Sequence, residues 1–167
     1  PGNARKAAES FADRDFREIA IAEFYYFTGQ AQKCSDLVEI YIMSSRLELK
    51  LSACMLYVYS NLTLGNAKAS ERGLEIIREC LRKEMEAPTS ERNTAYCVFA
   101  GYMGTVLLHL STEELPDMKK YMSSLPQGLR IFAANVISHD LYLKGEYSRA
   151  LGICDAALFS CKEIYPV

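Results

Sequence analysis

His139 and Asp140 stand side by side in a chain with two histidines and six cysteines, and these are the residues whose chemistry must be considered first. A His-Asp dipeptide is a fragment of a phosphohydrolase-type metal centre, in which a bound ion activates water. Such a centre needs further histidines and another aspartate, and only His109 remains to serve. Cys34, Cys54, Cys80, Cys97, Cys154 and Cys161 form no C-x-x-C pair and stand in apolar helical stretches. Cys154 and Cys161, seven apart, share a helix face with no histidine in either helix to complete a zinc pattern. The cysteines read as small core residues of a chain kept reduced, which points to a cytoplasmic location. The sequence has no glycine-rich phosphate loop, no G-x-S-x-G and no G-x-G-x-x-G, and Gly101-Tyr102-Met103-Gly104 lies in an apolar helix where glycine permits close packing. The expectation is a protein without catalytic residues, bound metal or cofactor. A metal-dependent enzyme on a helical scaffold is the reading it displaces.

Charge narrows the partners. Nineteen basic against 21 acidic side chains leave a net charge of −2 and no basic stripe to neutralise phosphates, so direct nucleic-acid contact is not expected. The densest charged run, from Glu71 to Glu84, mixes both signs around Leu74, Ile77 and Leu81, the pattern of a solvated amphipathic helix. The longest apolar stretches, such as Ala53 to Tyr59, fall well short of the roughly 20 residues a bilayer requires, so no membrane contact is expected. No signal peptide is expected from the first residues. A start at Pro1-Gly2-Asn3 and an end just after a helical pattern suggest a fragment of a longer protein.

The elements that must position these residues are set by glycine. Gly29, Gly65 and Gly145 each separate two helical patterns, at intervals of 36 and 80 residues, a repeat of roughly 40. In the tetratricopeptide pattern one small residue follows the turn glycine by five and another by twelve. Ala150 and Ala157 satisfy both after Gly145, where Tyr147 caps the packing; Cys34 and Tyr41 take the places after Gly29, and Ser70 the first place after Gly65. A third, degenerate hairpin fills the interval before Gly145. Its turn falls near His109-Leu110-Ser111-Thr112, with Ser111 or Thr112 before Glu113 and Glu114 as a helix start. Pro116 restricts that start to the first turn. The expected fold is all-α, a right-handed α-solenoid of antiparallel helix hairpins, tetratricopeptide-like, with about four repeats near 15–43, 46–86, 90–124 and 128–164, in one domain over 1–167.

In such a stack the first helix of each hairpin lines the concave face. Positions six, three and two before each turn glycine then face the groove: Glu23, Tyr26 and Phe27; Tyr59, Leu62 and Thr63; His139, Tyr142 and Leu143, with Asn135 one turn earlier. With Ser111 in the glycine place of the third hairpin, Thr105, Leu108 and His109 join them. The expected ligand- or partner-binding set is therefore Glu23, Tyr26, Tyr59, Thr63, Thr105, His109, Asn135, His139 and Tyr142. Such a wall suits a peptide, a protein segment or a small-molecule effector. The alternative is a wall that is merely solvated or covered by neighbouring repeats.

Three groups of residues carry a resemblance. They are Ala22-Glu23-Phe24-Tyr25-Tyr26-Phe27-Thr28-Gly29; Leu49 to Met55 with Asn61-Leu62-Thr63-Leu64-Gly65-Asn66; and Leu125 to Arg130 with Tyr142 to Tyr147, Ala156-Ala157-Leu158 and Tyr165-Pro166. From about residue 16 onward the chain resembles the helical middle region of large bacterial LuxR-type transcriptional regulators. That resemblance implies a sensor or interaction segment, with nucleotide binding supplied by a preceding module in many members and DNA binding by a C-terminal helix-turn-helix. Neither motif occurs in this sequence. A freestanding tetratricopeptide adaptor that binds a peptide or partner protein is the second reading. The apolar ends of an open stack offer a route to a homodimer.

Overall fold

Asp13 caps the start of the helix Arg14–Phe27. Its carboxylate accepts from the backbone N–H groups of Asp15 and Phe16 at 3.0 and 3.2 Å, satisfying donors that a helix start leaves without partners. The computed structural model describes residue 6 and residues 9–164, with side-chain surroundings through residue 157. Helix α1 runs Arg14–Phe27, and α2, Ala31–Val38, is followed by a 3-10 turn at Glu39–Tyr41. Helices α3, Leu47–Thr63, and α4, Ala67–Glu86, come next. Beyond them lie α5, Glu91–Leu107; a 3-10 helix, Met118–Ser124; α6, Gln127–Leu143; and α7, Tyr147–Ile164. Every regular element among the described residues is helical, as the all-α expectation requires. No helix among them is long and apolar enough to cross a membrane. The chain divides into two compact units, Pro1–Ala87 and Pro88–Val167.

The turn glycines do what their spacing implied. Gly29, Gly65 and Gly145 take φ values of +76°, +72° and +77°, the left-handed region that costs glycine little. Around each, the same two bonds close the preceding helix. After α1 they are Gly29 N–H to the Tyr26 carbonyl and Gln30 N–H to the Tyr25 carbonyl, at 3.0 and 2.8 Å. Equivalent pairs close α3 and α6.

The third turn departs from expectation. His109, not Ser111, holds the left-handed place at φ 54°, and its N–H bonds the Val106 carbonyl at 3.0 Å while Leu110 N–H bonds the Thr105 carbonyl at 3.0 Å. The register is thus two residues earlier than the sequence suggested. Histidine can occupy this region, which is why no glycine marks the turn. No helix starts at Ser111 or Thr112. Pro116 lacks the N–H that an early helical turn would need and would crowd the carbonyl of residue 112, so the next helical stretch waits until Met118, where the Asp117 carboxylate caps Lys119 N–H at 3.1 Å. The loop between is held instead by side chains. Thr112, 3% exposed, donates to Asp140 Oδ1 at 3.0 Å, and Lys144 Nζ donates to both Thr112 Oγ1 and Asp140 Oδ2 at 2.8 Å.

In the first unit α2 packs on α1 and α3, and α3 on α4. Cys34 and Ser70, each five residues past a turn glycine, are fully buried, so small side chains do sit where facing helices come closest. Asn61 Nδ2 donates to Ser35 Oγ and the Tyr57 carbonyl, each at 2.9 Å, a buried polar lock between α3 and α2. Arg46 ties the start of α3 to that of α1, bonding Asp13 and Asp15 and lying 4.9 Å over the Phe16 ring. Tyr41 is not a helix–helix contact as its spacing suggested. It falls in the 3-10 turn after the short α2, and its phenol donates to Glu18 at 2.7 Å. In the second unit α6 packs on α5, on the 3-10 helix and on α7. Ala150 is 6% exposed, and Ser138 Oγ donates to its carbonyl at 2.9 Å. Tyr147 lies largely exposed against Tyr142, 5.4 Å between ring centroids, rather than capping a packed interior.

Cys34, Cys54 and Cys97 are buried, Cys80 and Cys154 are partly buried, and none of these five forms a disulfide. Burial pushes the Cys34 thiol up to about 11 and the Cys54 thiol up to about 12, so both stay protonated and inert at neutral pH. The Cys161 side chain and the Tyr165-Pro166 pair lie outside the described residues.

Candidate functional site

The first helices bring part of the expected wall together in the first unit. Tyr26 of α1 and Tyr59 of α3 lie 5.6 Å apart between ring centroids, inclined at 44°, and Phe27 stands edge-on to Tyr26 at 5.5 Å. Both tyrosines are only partly buried, and Phe27 is 69% exposed. Burial together with the neighbouring Tyr26 pushes the Tyr59 phenol up to about 12, so it remains a neutral hydroxyl at physiological pH. Thr63 is exposed, but its hydroxyl donates to the Tyr59 carbonyl at 3.0 Å, which spends its proton on the helix end.

Glu23, one turn before Tyr26, is accessible as a residue. Packing nevertheless strips enough water from its carboxyl to raise its pKa, and desolvation alone accounts for the rise. Its charge also contributes to holding the Cys34 thiol neutral. A carboxylate with no ion pair among the described residues, one helical turn before Tyr26, could attract an amine or guanidinium through its charge, with the tyrosine rings adding their quadrupole.

The second unit places its residues differently. His139 and His109 meet edge to face, 6.4 Å between centroids, although one stands on α6 and the other in the turn after α5. Asn135, His139 and Tyr142 are all exposed on α6, Tyr142 at 60%. The Asp140 carboxylate beside His139 is engaged by Thr112 and Lys144, and no group of three metal-ligating side chains occurs among the described residues. Thr105 does not line a wall. It is fully buried, and Thr105 Oγ1 has no hydrogen-bond partner among the described residues, because the two-residue shift of the turn rotates it inward. The same shift makes His109 a turn residue rather than a member of the helix face.

A feature absent from the sequence reading lies between the 3-10 helix, α6 and α7. It is a cleft of about 430 Å³. Ile131, Ala134 and Ile137 form its floor, Ile153, Ala156 and Ala157 one side, and Lys119, Met122 and Arg130 edge it. The alanines Ala156 and Ala157 were its sequence signal, since they stand where the second helix of the first unit carries Ile76 and Ile77. Comparison with known proteins returns no match: no family model, no curated protein and no solved structure is similar to this chain.

Proposed function

We propose that this chain is a non-catalytic recognition segment whose first-helix wall binds a peptide, a partner protein or an effector, and that it serves as the sensing part of a bacterial transcriptional regulator of the LuxR type. The observation that carries the binding reading is the Tyr26–Tyr59 pair at 5.6 Å, with the desolvated Glu23 carboxyl one helical turn before Tyr26. These groups come from two helices and remain partly accessible, and a cationic partner would offset the lost solvation of the Glu23 carboxylate. The tetratricopeptide-like reading is supported by the recurring glycine turn and by the small side chains at Cys34, Ser70 and Ala150. The regulator reading rests on the resemblance of the turn and packing motifs. A freestanding adaptor would use the same wall.

A peptide array separates binding from mere exposure. Peptides carrying lysine or arginine should be retained by the wild type and lost by Glu23→Gln and by Tyr26→Ala with Tyr59→Ala. Retention that is the same in these variants would refute the wall. Sequencing the parent reading frame beyond Val167 tests the regulator reading: a helix-turn-helix downstream supports it, and an early stop codon favours the adaptor.

A further inference from the structure

The two hairpins that turn at Gly65 and Gly145 align in sequence at an offset of 80 residues, and the exchanges at that offset bear on the cleft. In the first unit the corresponding space is filled. Cys54, Tyr57 and Ile77 are at most 5% exposed, and Ile42 is fully buried with its carbonyl 3.8 Å from Cys54 Sγ. The residues 80 further on are Ala134, Ile137, Ala157 and Met122, and two of those exchanges, Tyr to Ile and Ile to Ala, remove substantial volume. The mouth differs as well. Glu39 on the 3-10 turn of the first unit pairs with Arg72 of α4 at 3.5 Å, an ionic strap across the equivalent opening. Its counterparts are Lys119 and Gly152. The carboxylate has become a cation, and its partner has become a residue with no side chain.

Lys119 has no carboxylate within ion-pair distance among the described residues, and a Cβ built on Gly152 meets nothing within 4 Å. Arg130 adds a second positive charge at the edge, its Nε and Nη2 donating to the Leu125 and Ser123 carbonyls and so holding the guanidinium in place. Among the described residues none that lines the cleft is acidic. Its volume falls within the range of small-molecule sites, with an apolar floor and few polar groups. We propose that this cleft binds a small organic anion, its apolar body on Ile131, Ala134 and Ile137 and its carboxylate on Lys119 above Gly152, taking the part that Glu39 plays toward Arg72 in the first unit. The site is separate from the tyrosine wall and does not depend on it.

Calorimetric titration of the 167-residue chain with octanoate and, separately, with octylamine tests the proposal. Octanoate should bind one to one and octylamine should not. Lys119→Glu should weaken octanoate at least about tenfold, a loss of roughly 1.4 kcal/mol. Lys119→Glu with Gly152→Arg, which installs the strap of the first unit, should abolish binding with the melting temperature at or above that of the wild type. The control Tyr26→Ala with Tyr59→Ala should bind octanoate as the wild type does, whatever becomes of the wall. Equal binding of octylamine, unchanged octanoate affinity in the strapped variant, or no octanoate binding to the wild type at millimolar concentration would each overturn it.

Discussion

A Cβ added to Gly73 would stand 2.8 Å from Val58 Cγ2 and 3.3 Å from Tyr57 Cδ1, closer than packed atoms tolerate. Val58 is fully buried and branched at Cβ, so it cannot swing aside in a helix. Gly73→Ala should therefore lower stability by about 1 kcal/mol or more even after the roughly 1 kcal/mol gain in helix propensity, read as a drop in melting temperature. Glu23 makes the opposite prediction. Desolvation raises the pKa of this carboxyl in the folded state, so the folded chain holds its proton more tightly than the unfolded one, and stability falls as pH rises from the ordinary carboxylate range through the raised value. Glu23→Gln should raise the melting temperature at neutral pH and flatten that part of the pH profile; a lower melting temperature would mean that the carboxylate is satisfied in the fold.

Four helices, α1, α3, α5 and α6, end on one left-handed turn, and the third copy uses it at a cost. His109 occupies a conformation that an L side chain enters at about 1 kcal/mol, so His109→Gly should stabilise the chain by that order, whereas Gly145→Val should destabilise it by about 1–2 kcal/mol. Because nothing lies within 4 Å of a Cβ at Gly145, the loss would be conformational rather than steric. Chemical denaturation of both variants measures the two signs, and a neutral Gly145→Val would discount the turn as a determinant of the hairpin. Pro116 works on the same scale. It removes the second helix that the third hairpin would otherwise form, leaving a seven-residue 3-10 helix, Met118–Ser124.

For the molecule as a whole, the division between Ala87 and Pro88 sets where the chain should be cut. Residues 87–90 are exposed and carry no helix, while most of the flanking residues are helical. Limited digestion by a glutamate-specific protease should cleave at Glu86 or Glu91, the terminal residues of α4 and α5 that flank this segment, before any site in a helix interior, giving two fragments near the sizes of the units. First cleavage within α3, at Glu48, would contradict the division.

Much of this was written in the order of residues. The glycine interval, the small residues that follow it and the apolar periodicity are local properties, and they determined the helices and three of the four turns, with Glu23, Asn135, His139 and Tyr142 left exposed. What they could not encode was any outcome decided by competition between distant groups. The third turn moved because His109 can adopt a left-handed backbone that sequence rules assign to glycine, and Thr105 was buried with it. The cleft is still less local: the loss of side-chain volume at Ile137 and Ala157, and the exchange of an ionic strap for Lys119 and Gly152, open a space only where three elements converge. Local pattern thus fixed the helices and most of their ends, and packing alone decided which faces close and which stay open.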